Sequence, residues 1–220
     1  VAQFYHINVD NEIPYNVYGG MQDNGSWKGP AYVWRHQGIR NAYWQEISFG
    51  DGFDVIPDKE DSRYGWSMSQ QGSVSYYDSE TGNNIKVQPT HPDPNILLRF
   101  NWNAAISMDP YDNNTLYFGS QFVHKSTDKG LTWSIISEDL TTNNPDKLNQ
   151  RNSGGLTIDA TGAENHCTIL VIEPSPIEKD MLWAGTDDGR VHYTTDGGSN
   201  WTDVTKNLKV LFNFFNFLFF

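Results

Sequence analysis

The sequence contains one cysteine in 220 residues, and its 15 Lys and Arg residues are outnumbered by 27 Asp and Glu residues. A lone cysteine, Cys167, cannot form a disulfide within the chain, so cysteine content does not reveal the redox compartment. The formal net charge of −12 argues against nucleic acid as a partner. Phosphate binding needs a basic stripe, and the cationic residues here are scattered.

Signals for helices, membranes and common catalysts are also missing. No segment keeps a 3.6-residue hydrophobic period, and no apolar run reaches the about 20 residues that a membrane helix needs. The sequence has no G-x-S-x-G elbow, P-loop or G-x-G-x-x-G fingerprint, and five of its six His residues, all except His166, lack metal-ligand spacing. We therefore predict no cofactor, no metal site and no membrane span in this segment.

A short pattern, S/T-x-D-x-G-x-x-W, occurs twice and is called the Asp box below. Its Asp can accept backbone N–H groups in a tight turn, its Gly allows a positive φ, and its Trp buries a large ring. We predict a structural role for all eight residues that carry the pattern. They are Ser126, Asp128, Gly130 and Trp133 in the first copy and Thr194, Asp196, Gly198 and Trp201 in the second.

Around each Asp box the sequence repeats an apolar run, a strand ending in Gly, a second strand and a Trp strand. Two weaker copies of this order lie upstream, so we predict four-stranded units at about residues 4–48, 49–88, 96–137 and 167–208. Units of this length, rich in aromatic residues and Gly turns, are typical of an all-β fold, the β-propeller. We expect about four blades of a larger propeller, with a parallel solenoid as the alternative fold.

The end of the chain differs from the rest, because residues 209–220 (KVLFNFFNFLFF) hold six of the 12 Phe residues. The segment is too short and too interrupted by Asn to be a membrane helix. We predict that residues 1–208 form the propeller and that this tail is not part of the fold. A truncation or frame artefact, a strand cut short and an anchor remain open as explanations.

The Asp boxes and three further segments, residues 20–27, 50–54 and 154–159, carry a resemblance to known proteins. They resemble large bacterial BNR-repeat propellers that look like the sortilin-type sorting receptors and are often labelled glycosyl hydrolase. The resemblance covers residues 1–208. It implies a secreted, periplasmic or cell-surface protein with additional blades, whose ligand is a protein, a peptide or a carbohydrate.

Propeller connectivity indicates where a ligand would bind. Turns between second and third strands share one face with the connections between blades, whereas the Asp boxes occupy the opposite face. We call the first of these the loop face, and long ordered loops there often carry function. Our ligand-binding candidates on it are Asp23, Asn24, Asp51, Trp102, Asn103, Glu164, Asn165 and His166.

Each candidate also has a structural interpretation. Asp23 and Asn24 suit a hairpin turn before Gly25, Asp51 and Asp54 can bridge loops, and Trp102 can belong to the core. His166 is more often a satisfied histidine than a ligand.

A glycoside hydrolase is the alternative to a binding module. It needs two carboxyl groups about 5–10 Å apart, one with a raised pKa. The carboxyl candidates on the loop face are Asp51, Glu164, Asp187 and Asp188. The arginines are scattered, which disfavours a sialidase. We therefore predict an exported propeller that acts as a binding or interaction module, with a carbohydrate-active hydrolase as the alternative.

Overall fold

Four antiparallel sheets of four strands each build the described part of the chain, residues 3–148 and 165–208 of the computed structural model. In every sheet the strands are neighbours in chain order, which is the meander of a propeller blade. The sheets are arranged as a four-bladed β-propeller. The predicted all-β propeller with four-stranded blades is confirmed, whereas the predicted unit boundaries stay a prediction. Residues 209–220 lie outside the described residues.

The first blade contains β1 (Phe4–Val9), β2 (Asn16–Met21), β3 (Gly25–Pro30) and β4 (Gln45–Ser48). The second contains β5 (Val55–Pro57), β6 (Tyr64–Ser69), β7 (Ser73–Asp78) and β8 (Asn84–Lys86). The third contains β9 (Ile106–Met108), β10 (Leu116–Gly119), β11 (Val123–Ser126) and β12 (Ser134–Ile135). The fourth contains β13 (Ile169–Pro174), β14 (Leu182–Thr186), β15 (Val191–Thr194) and β16 (Thr202–Asp203).

Helical structure in the described ranges is limited to single turns. One α-helical turn, α1, spans Pro145–Leu148, and 3-10 turns span Asn41–Tyr43, Gln70–Gly72 and Thr205–Asn207. Within residues 3–148 and 165–208, no helix has the length and apolar character needed to cross a membrane.

Hydrophobic clusters join each blade to the next. Tyr18 of the first blade packs with Val55 and Tyr77 of the second. A larger cluster around Trp66 and Phe118 joins the second and third blades. A third cluster joins the third blade to the fourth. Because each sheet buries apolar side chains on a neighbouring sheet, inter-blade packing forms the core of the propeller.

A second repeated turn, not identified from the sequence, follows the first strand of each blade. Its first residue is Asp10, Asp58, Asp109 or Ser175, and the side chain accepts the backbone N–H two residues further on. In two blades the same carboxylate also accepts the hydroxyl of a buried tyrosine. These pairs are Tyr18–Asp10 at 2.9 Å and Tyr117–Asp109 at 2.8 Å. The turn therefore fixes the start of the second strand in every blade.

Candidate functional site

Both Asp boxes form closed hydrogen-bonded turns between the third and fourth strands of their blades. Ser126 Oγ donates to Asp128 Oδ1 (2.8 Å), and the Gly130 N–H donates to Ser126 Oγ (2.8 Å). Asp128 also accepts the Thr132 N–H at 2.8 Å. Thr194, Asp196, Gly198 and Asn200 repeat these contacts. In the second box, hydrogen bonds from Asn200 and Thr194 lower the pKa of Asp196 to about 2.

The Trp of each box contacts the preceding blade. Trp133 Nε1 donates to the Val87 carbonyl (2.7 Å), and Trp201 Nε1 donates to the Ile136 carbonyl (2.8 Å). Each acceptor directly follows the last strand of the preceding blade. Gly130, at φ +92°, lies so close to Val87 that an added Cβ would be 3.2 Å from its side chain. The boxes therefore link neighbouring blades, on the face opposite the candidate residues.

On the loop face, Asp51 supports the second-to-third-strand turn of the first blade. Its carboxylate accepts the Asp23 N–H at 2.6 Å, and the Asp51 side chain is buried. The neighbouring Asn24 donates to the Gln22 carbonyl at 2.8 Å. Asp23 has a φ of +58°, as expected in a tight hairpin turn. The Asp51 side chain thus holds the backbone of this turn.

Trp102 and Asn103 precede the innermost strand of the third blade and have different surroundings. The Trp102 ring is partly buried against the cluster between the second and third blades, and its carbonyl accepts the Gln71 N–H at 3.1 Å. The Asn103 side-chain amide lies 2.9 Å from His6 Nε2 on β1. Asn103 therefore connects the third blade to the first, while Trp102 contributes to the core.

The connection to the fourth blade positions Asn165 and His166. Asn165 Nδ2 donates to the Phe100 carbonyl at 2.6 Å. His166 Nδ1 lies 3.5 Å from Asp187 Oδ2, and Asp187 Oδ1 accepts the Thr168 N–H at 2.8 Å. Burial raises the pKa of Asp187. Glu164 lies outside the described residues.

Asp188, next to Asp187, binds Thr142 in the connection that precedes the fourth blade. Its Oδ2 accepts both the Thr142 N–H (2.6 Å) and the Thr142 hydroxyl (2.7 Å), and Thr186 donates to its Oδ1. Burial acts to raise the pKa of Asp188, but the hydrogen bonds from Thr186 and Thr142 outweigh it, so the pKa lies below the usual range. The carboxylate is therefore occupied by contacts within the protein.

A second His–Asp pair was not predicted from the sequence. His6 Nε2 lies 3.9 Å from Asp54 Oδ2, with the His6 side chain 45% exposed and Asp54 15% exposed. Burial raises the pKa of Asp54. His6 lies in the middle of β1 and is 97 residues from its other contact, Asn103. The only sequence signal is that Asp54 directly precedes an innermost strand.

These contacts form one continuous chain across the loop face. From Asp54 it passes through His6 to Asn103, whose N–H donates to Asn101 Oδ1 at 3.1 Å. Asn101 Nδ2 donates to Thr168 Oγ1 at 3.0 Å, and Thr168 leads to Asp187 and His166. We call the set His6, Asp54, Asn101, Asn103, His166 and Asp187 the loop-face cluster. Of the predicted residues, Asn103, His166 and Asp187 belong to it.

Two surface grooves in the described part of the chain lie elsewhere. One, of about 260 Å³, lies between β8 and the first Asp box and is lined by Ile85, Gln88 and Leu131. The other, of about 510 Å³, is lined by the loop of residues 31–39. Among residues 3–148 and 165–208, no three His, Cys, Asp or Glu side chains are placed to hold a metal ion.

Solved structures similar to this chain are propellers. The chain is 15% identical to a GH74 enzyme from Niastella koreensis, with a TM-score of 0.55 over 92% of this chain and 30% of that one. It is 12% identical to the GH74 xyloglucanase from Xanthomonas campestris, with a TM-score of 0.52 over 84% of this chain and 26% of that one. At these identities the likeness shows the fold alone.

The chain spans less than a third of the length of either neighbour. No family model matches the sequence, and none of the curated proteins matches it. The fold and these comparisons thus define the class of protein, a β-propeller.

Proposed function

We propose that this chain is a binding module of an exported, sortilin-type Asp-box propeller, and that its loop-face cluster binds a protein, peptide or carbohydrate ligand. The observation that supports this most is the continuous chain of imidazole, amide and carboxyl groups, which come from the connections to three blades, from β1 and from the turn after β14. Such groups donate and accept hydrogen bonds, which suits hydroxyl and amide groups of a polar ligand.

The contacts of two candidate acids favour binding over hydrolysis. Asp51 accepts a backbone N–H while buried, and Asp188 accepts three hydrogen bonds from Thr142 and Thr186. A catalytic carboxyl must instead face the scissile bond, where it exchanges a proton or acts as the nucleophile. Both residues are therefore better explained as supports of the loops that surround the cluster.

A glycoside hydrolase remains the second candidate, because of Asp54 and Asp187. Burial raises the pKa of each of these carboxyl groups, and each lies beside a histidine. A raised carboxyl pKa is the property required of a general acid. In this alternative, Asp187 or Asp54 protonates the leaving oxygen, and a second carboxylate on the loop face acts as nucleophile or base.

The proposal is tested by ligand binding to the full chain. A glycan array and a peptide library provide ligands, and isothermal calorimetry then compares Asn103→Ala with a control, Asn113→Ala. Asn113 is half-buried in a turn on the opposite face and donates to Glu60. We expect Asn103→Ala to weaken binding at least ~10-fold through a lost polar contact, and Asn113→Ala to leave it unchanged. Equal binding by both variants would refute the site.

The hydrolase alternative has its own measurement. Xyloglucan is incubated with the full chain, and released reducing ends are counted for the parent, Asp187→Asn and Asp54→Asn. Turnover that either substitution abolishes, without a change in melting temperature, would favour the hydrolase. Ligand binding without turnover would favour the binding module.

A further inference from the structure

The turns between the first and second strands of the blades lie on the face that carries the Asp boxes. We call them the inner turns, and they span residues 10–15, 58–63, 109–115 and 175–181. Backbone hydrogen bonds join two of them to the boxes. The Lys129 N–H donates to the Asn114 carbonyl at 3.0 Å, and the Gly197 N–H donates to the Asp180 carbonyl at 2.9 Å. The boxes therefore support the inner turns of the third and fourth blades.

Neighbouring inner turns are also joined to each other. The Ser62 hydroxyl donates to Glu12 Oε1 at 3.0 Å, which links the second blade to the first. Asn113 Nδ2 donates to Glu60 Oε1 at 3.2 Å, which links the third blade to the second. These contacts hold the turns of the first three blades side by side, so they form one continuous surface.

This surface is acidic. Its exposed cationic residues are Lys59 and Lys179 alone, and Arg63 is paired with Asp78 and Glu80 outside the turns. Six carboxyl groups are exposed on it, and they belong to Glu12, Glu60, Asp61, Asp112, Glu178 and Asp180. Hydrogen bonds from Thr115 and Asn114 hold the pKa of Asp112 below its usual range. The inner turns therefore present a net negative charge at neutral pH.

Exposed apolar side chains lie among these carboxyl groups. Ile13, Tyr111 and Ile177 are 98%, 46% and 93% exposed, and each is next in sequence to an exposed acidic residue. Tyr111 and Glu60 belong to the third and second blades, which have a neighbouring blade on both sides. A further blade in a larger propeller would therefore not cover them. Exposed apolar residues with a polar rim commonly mark interaction sites.

We propose that the inner turns bind a cationic, amphipathic segment of a partner protein. Lys or Arg side chains of the partner pair with the exposed carboxylates, and its apolar side chains contact Ile13, Tyr111 and Ile177. The charge of the surface selects for a basic partner and against an acidic one. Because the contributing charges are exposed, added salt weakens the complex by screening. This surface lies opposite the loop-face cluster, so the inference does not depend on the function proposed for that cluster.

The test measures fluorescence anisotropy of a labelled peptide of alternating Lys and Leu with the full chain. Glu60→Gln combined with Asp61→Asn removes two charges but keeps the side-chain oxygens that accept hydrogen bonds, and Tyr111→Ser removes an apolar contact. The matched controls are Glu138→Gln and Leu97→Ser, at exposed positions in the connections between blades. We expect the double variant and Tyr111→Ser each to weaken binding at least ~10-fold, and both controls to bind as the parent does.

Companion peptides of the same length separate the two parts of the contact. One has Ser in place of Leu and the other has Glu in place of Lys, and we expect both to bind more weakly than the Lys–Leu peptide. No binding by the parent, an equal loss in the controls, or equal affinity for either companion peptide overturns the proposal. The same peptide is also tested with Asn103→Ala, which should bind it normally. A loss in Asn103→Ala without a loss in the inner-turn variants would place the peptide on the loop-face cluster and refute the inner-turn surface.

Discussion

The two faces of this propeller are held together by different kinds of contact. On the Asp-box face, a carboxylate bonds to groups two to four residues away, as Asp128 does with Ser126 and Thr132. On the loop face, contacts join distant parts of the chain, as between Asn103 and His6. The box turns are therefore repeated local structures, whereas the loop-face cluster joins distant parts of the chain. In a fold built from repeats, departures from the repeat indicate where a particular function resides.

The largest effect should come from the Trp of an Asp box. Trp133→Ala removes a partly buried ring and its 2.7 Å hydrogen bond to the preceding blade. We expect the free energy of unfolding to fall by about 2–4 kcal/mol, because both packing and a hydrogen bond are lost. Urea denaturation measures the change. The matched control is Trp34→Ala, since Trp34 is 88% exposed. An equal loss in both variants would show that the box Trp does not join the blades.

A strong acid sensitivity should come from His124. Its Nε2 lies 2.8 Å from Ser120 Oγ in a fully buried site, and burial lowers its pKa to about 4. The folded pKa lies below the usual value of 6.5, so the unfolded chain takes up a proton first. Stability is therefore retained above pH 6.5 and lost as the pH falls from 6.5 towards 4.

Melting temperatures across this pH range measure the effect. We expect His124→Gln to flatten the decline relative to the parent, since the substituted side chain does not titrate. His36→Gln, at an exposed position, is the control and should follow the parent profile. A His124→Gln profile that matches the parent would mean that another group causes the acid sensitivity.

A smaller effect is expected from the Asp of the box. Asp128→Ala leaves the Thr132 N–H without its carboxylate acceptor and should lower the free energy of unfolding by about 1–2 kcal/mol. Ligand binding by the folded protein should persist, because the box lies opposite the loop-face cluster. Loss of binding with an unchanged melting temperature would contradict the structural role.

The contrast between local contacts in the box turns and long-range contacts on the loop face also explains what the sequence could predict. The blades were predictable because turn residues such as Asp128 and Gly130 act through neighbours a few positions away, where spacing is visible. The repeated turn at Asp10 and Asp109 leaves a comparable signal, since both residues directly follow a first strand. The link from His6 to Asn103 left no local pattern. It depends on how the blades pack, and packing is not encoded in the spacing of either residue.

The carboxyl groups of Asp187 and Asp188 illustrate a second limit of what a sequence can predict. Asp187 and Asp188 are adjacent, and from sequence both were catalytic candidates. Burial raises the pKa of Asp187, whereas three hydrogen bonds hold that of Asp188 below its usual range. Environment, rather than residue type, thus separates a candidate acid from a loop support. Which of the site candidates contacts a ligand stays a prediction until binding is measured.

The smallest effect on stability is expected from deleting residues 209–220. These residues carry half of the Phe residues of the chain, and the Asp-box pattern does not occur in their sequence. The core clusters of the described part are formed by residues 18–201. We therefore expect an unchanged melting temperature and a higher solubility, because an apolar segment is removed. Differential scanning calorimetry measures the melting temperature, and the saturating protein concentration measures the solubility. A lower melting temperature would instead show that the tail packs on the propeller, and the exposed ring of Trp183 on the fourth blade would be the first place to look for the contact.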